Sequence, residues 1–547
     1  MTSGTVPPTD RAAPSLRKDA GSTSPPFGRL LIANRGEIAV RIIRACRELG
    51  IETVAVYSDA DAGAVHVRAA DVGVRLGPAP ASESYLRQDL ILDAAVRTGA
   101  EAIHPGYGFL AERAEFARAV EAAGITFVGP PAAAIAMLGD KLAARRLARD
   151  VDVPVVPGTL EPAPVDRADQ VEGILTAADG VGYPLLVKAA AGGGGRGMRR
   201  VESRSDLVAA LAAGSAEAAS AFGDGAVYLE REVLPARHIE VQLIGDSAGT
   251  IVALGERDCS LQRRHQKLLE ESPAPGLSDG ERAHLHELAV RVATAARLQN
   301  AATAEFLFDL NRDFWFLEVN TRLQVEHGVT ELASDVDLVR EQIRIAAGEP
   351  LSEPIRAAAE GAGRPSRHAI EIRLSAEDPG RDFAPSPGRI GQWRMPSGPG
   401  VRVDTAAEAG ARVPPDYDPL VAKVLVVDRD RDAAIDRLGR ALDEIEVTGI
   451  QTTLPFHRFV AGHAGFRAGD VSTGWVAAEW DPAVVSLRSA ALARAFAAAA
   501  AVATGGGGSR QGSGAGAGST APGPSSSASG WRVVAREEAA DRWPGSR

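Results

Sequence analysis

Between residues 29 and 58 the spacing of apolar positions changes twice. RLLIAN is a continuous apolar run, EIAVRIIRACRELG returns apolar residues at helical spacing, and ETVAVYS is apolar again. The pattern predicts strand, helix, strand, with Ile38, Ile42, Cys46 and Leu49 on one helix face and Gly50 as the stop. EAIHP and ITFVG continue the alternation with helical segments to about residue 137. That predicts a parallel sheet with helices on both faces. From Met137 to about 340 the pattern becomes strands in antiparallel pairs with interspersed helices. HAIEIRLSAED (368–378), GRIGQWRMP and VRVDTAAE predict a third, strand-rich α+β region ending near 480.

One stretch interrupts this pattern. KAAAGGGGRGMRRV (188–201) follows the apolar run YPLLV and holds four consecutive glycines. Gly192, Gly194 and Gly197 satisfy G-x-G-x-x-G, but MRRV after them reads as extended, and a helical pattern begins only near Ser205. A dinucleotide site needs a helix N-terminus at that point, and a P-loop needs a Gly-Lys-Ser/Thr that is absent. What remains is a glycine-rich hairpin whose backbone N–H groups can close over phosphates, or a plain flexible loop. The turn Asn34-Arg35-Gly36-Glu37 is no dinucleotide fingerprint either, so the first domain is Rossmann-like in shape without that ligand.

Composition narrows the setting. The 547 residues suffice for several domains, and the formal charge of −11 argues against general nucleic-acid binding. Two cysteines, Cys46 and Cys259, form neither a disulfide framework nor a Cys-based zinc site, which suits a reducing cytoplasm. No apolar run is long enough for a membrane span; AFAAAAAVA near 500 is short and mostly alanine. Residues before 29 read as disordered, and GGGGSRQGSGAGAGSTAPGPSSSASG as a flexible linker.

The segment AEFLFDLNRDFWFLEVNTRLQVEH (304–327) holds the candidate chemistry. It predicts a hairpin turning at Asn311-Arg312. With Asp309 opposite Phe314, Glu305 faces Glu318, and Asn320 shares that face. Facing carboxylates repel, so they are either solvated or gathered around a cation; oxygen donors suit Mg²⁺. Arg322, Gln324 and Glu326 follow on alternate positions. Such an arginine can grip a small oxyanion, and a glutamate beside it can remove a proton. ERDCSLQRRHQK (256–267) adds a cationic run, with Lys267 and His265, in an otherwise acidic chain. With Lys141 and Lys188, these are the parts of a phosphoryl-transfer site.

KAAAGGGGRGMR, RHIEVQ, ERDCSLQRRHQKLLEESPAP, EFLF…FLEVNTRLQVEH and EIRLSAEDP…PSPGRI resemble the biotin carboxylase family of ATP-grasp enzymes. IANRGEIAVRIIRA and IHPGYGFLAE extend the resemblance from about Arg29 to Trp480. It implies a Rossmann-like N-terminal domain (29–139), an ATP-grasp domain (140–340) with a glycine-rich lid at about 155–230, and a strand-rich C-terminal domain (341–480). A disordered start (1–28) and an Ala/Gly/Ser-rich tail (481–547) flank them.

The resemblance also implies roles. Lys141, Lys188, Glu230, Val233, His238, Gln262 and His265 would contact ATP, with Gly194 and Gly195 in the lid. Glu305, Glu318 and Asn320 would bind two Mg²⁺ or Mn²⁺ ions. Lys267, Arg322, Gln324 and Val325 would hold bicarbonate, which Glu326 would deprotonate for attack on the γ-phosphate. The carboxyphosphate formed would release CO₂ and phosphate beside biotin, and Arg373 would stabilise the biotin enolate. Three departures stand out. Gly328 stands where the family usually has proline, which would loosen the loop behind Glu326. Ser334-Asp335 stands where a glycine is common, and Arg231 replaces a common lysine.

None of the four methionines adjoins a lysine, as a biotinyl acceptor motif requires. Biotin is therefore expected on a separate carrier protein, with a separate carboxyltransferase subunit. The expected enzyme is the homodimeric ATP-dependent subunit of an acetyl- or propionyl-CoA carboxylase. Competing readings are the biotin-carboxylating component of a pyruvate or urea carboxylase, an ATP-grasp ligase with another acceptor, and a silent nucleotide-binding scaffold. The tail residues Trp531 and Trp543 are either a docking element or part of a disordered extension.

Overall fold

Successive residues of a strand point to opposite faces, so a fully apolar strand is expected to be covered on both sides. The computed structural model, which describes residues 25–163, 171–190 and 198–485, shows this for the first strand. Leu30 and Ile32 enter one core with Ile38, Ile42 and Cys46, while Leu31 and Ala33 enter another with Val54, Ile91 and Phe116. Strands Val72–Gly77, Glu52–Ser58, Arg29–Ile32, Ala102–His104 and Thr126–Phe127 lie in that spatial order, and every pairing is parallel. The predicted doubly covered parallel sheet is present. Helix Gly36–Glu48 goes beyond its predicted stripe, because Glu37 and Arg41 on its polar side are buried as well.

Among the described residues, the strands beyond residue 137 form two larger antiparallel sheets and three two-stranded ones. A small sheet pairs Leu185–Ala189 with Arg199–Val201 and with Val227–Arg231. Its first pairing is the hairpin expected around the glycines. Gly194 and Gly195 themselves lie outside the described residues.

The large sheet has eight strands and crosses from the central region into the third. Its order is Phe314–Asn320, Asn300–Asp309, Ala236–Gly245, Ile251–Arg263, Gln266–Ser272, His368–Ser375, Leu420–Asp428, Val401–Thr405. One face is mostly apolar, broken by Glu256, Asp258 and Glu271. Ile239, Val241, Ala304 and Phe306 pack on helix Asp279–Ala295, and Ile370, Ile372, Val424 and Val426 on helix Arg431–Glu444. The alternate residues His238, Glu240, Gln242, Thr303, Glu305, Glu371 and Lys423 are polar, yet they are buried too. Among the described residues no helix is long and apolar enough to cross a membrane.

The hairpin register differs from expectation near its turn. Phe308, not Asp309, faces Phe314, and Phe306 faces Phe316. A bulge then brings Glu318 opposite Glu305, the pairing predicted. The turn is shaped by Asp309, whose Oδ1 accepts the N–H groups of Asn311 and Asp313 at 2.9 and 3.0 Å, with Arg312 at φ +67°. A side-chain-capped turn is invisible to pairing by count alone.

Two of the sequence departures have structural settings. Asp335 ends helix His327–Ser334 in the left-handed conformation, φ +59°, which glycine adopts without strain. Gly328 lies over strand Leu420–Asp428: a methyl group there would sit 2.5 Å from Cδ2 of buried Leu425 and 3.3 Å from Oε2 of Glu371. Gly328→Ala is therefore expected to cost about 1–3 kcal/mol in denaturant unfolding by overpacking. In a double-mutant cycle with Leu425→Ala, the two losses should add to less than their sum.

Glu271 ties the central strands to the third region. Its carboxylate meets His368 at 2.7 Å and Arg431 at 2.6 and 3.0 Å. Burial pushes this carboxyl up, but the His368 and Arg431 hydrogen bonds pull it down to about 2. A depressed carboxyl stabilises the fold above its unfolded pKa and loses that contribution as pH falls through the folded value. Wild type should thus lose its stability margin over Glu271→Gln as pH drops from about 4.5 toward 2, seen as converging thermal midpoints.

Candidate active site

The buried polar face of the large sheet brings Glu305, Lys267, Glu326 and Arg373 together. Lys267 Nζ lies 2.7 Å from Glu326, 2.5 Å from Glu240 and 3.1 Å from Glu305. Arg373 Nη2 lies 2.9 Å from Glu326 and 2.5 Å from Glu270. His238 Nε2 is 2.9 Å from the other oxygen of Glu305, and Asn320 Nδ2 donates to Glu305 at 2.8 Å. Neither Glu305 nor Glu318 is solvated as a plain surface acid: the first is 7 % exposed and the second is half-buried against Lys141 at 3.1 Å.

These contacts set protonation. Burial pushes the Glu326 carboxyl up, but Lys267, Arg373 and Arg257 together hold it well below the usual carboxylate range. Burial would discharge Lys267, yet Cys259, Glu240, Glu305 and Glu326 around it raise its pKa well above the ordinary value. Both groups are charged at neutral pH.

The loop after the hairpin carries the remaining predicted anion-binding groups. Arg322 donates to Glu112 at 2.9 Å and to Gln324 Oε1 at 2.8 Å, and Glu112 also accepts the N–H of Thr321 at 3.2 Å. Gln324 is buried, and its Nε2 has no hydrogen-bond partner among the described residues. A buried amide N–H left unpaired beside Arg322 calls for an acceptor brought from outside. The backbone is held from behind: His327 Nδ1 donates to the Gln324 carbonyl at 2.7 Å, and Lys423 donates to the Val325 carbonyl at 2.8 Å. The loop that Gly328 was expected to loosen is thus tied at two successive carbonyls.

The expected nucleotide contacts divide between the two sheets. Lys141 begins helix Lys141–Asp150, which Asp140 caps by accepting the N–H of Ala143. Lys188 on the small sheet meets Glu230 at 2.6 Å, and Arg145 holds the other oxygen of Glu230 at 2.6 Å. Val233 is half-buried in the connection between the sheets, and Gln262 is buried on the large one. His265 occupies an exposed two-residue turn with Arg264, both left-handed at φ +65° and +49°. Oxygen donors suited to a divalent cation are present as well: the carboxylates of Glu305 and Glu318 and the amide of Asn320.

Several groups escaped the sequence reading. Glu240 forms the centre of the Arg257–Lys267 contacts, at 2.5 Å from each, and its period-two pattern with His238 and Gln242 was a usable signal. Lys423 interrupts the apolar run LVAKVLVV, a signal of the same kind. Glu112, Arg145 and Glu270 gave none, since their partners lie 85 to 210 residues away.

Comparison with known proteins fits this geometry. Residues 26–135 match the family model for the biotin carboxylase N-terminal domain, 371–478 that for the biotin carboxylase C-terminal domain, and 140–354 that for the carbamoyl-phosphate synthase L chain ATP binding domain. The chain is 48% identical over 449 residues to biotin carboxylase 1 of Bacillus subtilis, covering 81% of this chain and 97% of the relative. It is 46% identical over 453 residues to a pyruvate carboxylase subunit of Methanothermobacter thermautotrophicus, covering 82% and 89%. Among solved structures, the biotin carboxylase domain dimer of Hydrogenobacter thermophilus 2-oxoglutarate carboxylase, in complex with MgADP, ADP and bicarbonate, aligns with a TM-score of 0.78 at 43% identity, covering 82% of this chain and 97% of that one. The chain belongs to the biotin carboxylase family of ATP-dependent ligases that form a carbon–nitrogen bond.

Proposed function

We propose that this chain carboxylates biotin, presented by a separate carrier protein, with ATP and bicarbonate. The observation that carries the reading is the unpartnered Gln324 amide beside Arg322, close to the charged Glu326–Lys267–Arg373 cluster. Arg322, Gln324, Lys267 and the Val325 backbone hold bicarbonate, and the Glu326 carboxylate takes its proton. A bicarbonate oxygen then attacks the γ-phosphorus of ATP and ADP leaves, giving carboxyphosphate. This breaks to CO₂ and phosphate; the phosphate takes the ureido proton, and the biotin nitrogen forms its new bond to CO₂. Arg373 stays protonated and faces the negative charge that develops on biotin.

Lys141 and Lys188 hold the phosphates, with Gly194 and Gly195 of the lid, and Glu230, Val233, His238, Gln262 and His265 line the nucleotide. Glu230 bridges Lys188 and Arg145, which fixes the position of the Lys188 ammonium. Glu305, Glu318 and Asn320 would hold divalent Mg²⁺ or Mn²⁺, which neutralises phosphate charge when bound.

The acyl acceptor belongs to the carboxyltransferase. An acyl-CoA setting is the assignment taken from the sequence, and relatives of near-equal identity include a biotin carboxylase and a component of a pyruvate carboxylase. Assays of the complex with acetyl-CoA, propionyl-CoA and pyruvate separate these settings. The related 2-oxoglutarate carboxylase domain is a dimer, and we assign the same state here.

The reading predicts bicarbonate-dependent ATP turnover by the purified chain with Mg²⁺, stimulated by free biotin. Arg373→Ala should lower biotin-stimulated kcat about 10²–10³-fold, the usual cost of removing a preorganised charge partner. Turnover indifferent to biotin would reassign the acceptor, and no turnover even with a biotinylated carrier would leave the chain a scaffold. Because Glu326 is held well below the usual carboxylate range, its base form persists as pH falls. The pH profile of kcat/KM for bicarbonate should therefore show no Glu326 limb above about pH 5.

A further inference from the structure

Strand Leu420–Asp428 is apolar from Leu420 to Val427 except for Lys423, whose side chain is fully buried. An ammonium in that position needs acceptors on every side that approaches it. Three parts of the fold supply them. The Val325 carbonyl accepts at 2.8 Å, Glu37 of helix Gly36–Glu48 lies at 3.2 Å, and Asp404 of the edge strand lies at 3.8 Å. Glu37 also accepts a hydrogen bond from the Tyr107 hydroxyl. The N-terminal domain, which also meets the loop of Gln324 and Glu326 through Glu112, thereby reaches its far side through a buried ion pair.

The other charged groups around Lys423 leave it directed at that carbonyl. Arg402 is occupied by Asp404 at 2.7 Å and by Glu331 at 2.6 Å. Arg373, its cross-strand partner, is occupied by Glu270 and Glu326. Glu371 lies directly opposite Glu270, and neither of its carboxyl oxygens has a partner among the described residues. Burial raises the Glu371 carboxyl well above its ordinary value against the pull of Lys423, and the facing Glu270 adds to the rise. With neither oxygen bonded, Glu371 forms no hydrogen bond or ion pair that competes with Val325 for the ammonium.

We propose that Lys423 is a positioning residue for bicarbonate: anchored by Glu37, it fixes the Val325 carbonyl and with it the placement of the Gln324 amide and the Glu326 carboxylate. The inference rests on the reading of that loop as the bicarbonate site. A loop displaced by a fraction of an ångström loses the alignment on which attack depends, without loss of any group that touches substrate.

The test is steady-state kinetics of the full chain as Lys423→Met and Glu37→Gln, with KM for bicarbonate and for ATP measured separately and thermal unfolding in parallel. Lys423→Met should raise KM for bicarbonate about tenfold or more while KM for ATP stays within about twofold. Glu37→Gln, which keeps an acceptor but drops the charge, should move the same constant in the same direction by less. A merely structural role would lower the unfolding midpoint and the active fraction but leave KM for bicarbonate where it was, and that result in a folded variant overturns the proposal. Should Lys423→Met fail to fold, Glu37→Gln decides alone by the same criterion. Glu326→Gln serves as the control on the underlying reading. If it keeps bicarbonate-dependent turnover, the site assignment itself is wrong; if it is inactive while the other two behave as wild type, only the role of Lys423 falls.

Discussion

A β-sheet can bury one polar face only if every charge on it meets an opposite charge on the same face or from the elements that cover it. The eight-stranded sheet carries Glu240, Glu270 and Glu305 on such a face, and Glu326 descends onto it from the following loop. Arg257, Lys267 and Arg373 answer them, and Lys423 on the same face meets Glu37 of the covering helix. Charges in this setting interact far more strongly than in water, so each contact fixes a direction as well as a protonation state. The arrangement holds the Glu326 carboxylate ionised with Lys267 and Arg373 in place against it, the kind of preorganisation that electrostatic catalysis requires.

The same constraint explains the domain arrangement. Helix Gly36–Glu48 could have met the core with one apolar stripe and left its polar side to water. Instead its Glu37 and Arg41 are buried, Arg41 at 2.9 Å from Glu331 and 2.6 Å from Asp337. Glu331 in turn meets Arg402 at 2.6 Å, so the first helix, the helix after the loop of Gln324 and Glu326, and the edge strand share one ion cluster. Burial pushes the Glu331 carboxyl up, and Arg41, His327 and Arg402 hold it far down. The net charge of −11 is thus a poor guide to the local field, which at the site is balanced by cations.

Much of this was legible because apolar periodicity and local spacing report short-range geometry. The parallel sheet of the first domain, the hairpin over the glycines and the facing of Glu305 with Glu318 all follow from residues close in sequence. The register near Asp309 was misread because a side-chain-capped turn and a compensating bulge shift pairing without changing composition. Partners such as Arg145 with Glu230 or Lys423 with Val325 join distant segments, and no local pattern encodes them. A lone charge inside an apolar strand, as at Lys423, and a polar period of two, as around Glu240, were the signals that could have been followed. The glycines that first suggested phosphate, Gly194 and Gly195, lie outside the described residues, so their part rests on sequence and family.

The central claim is that bicarbonate, held beside Glu326, attacks the γ-phosphate of ATP. The most direct test follows oxygen: ATP turnover in ¹⁸O-labelled bicarbonate with biotin present, and mass analysis of the phosphate released. Transfer of a bicarbonate oxygen into phosphate is the predicted result, because carboxyphosphate breaks between its carbon and the bridging oxygen. Phosphate carrying only oxygen from ATP and water would contradict the account.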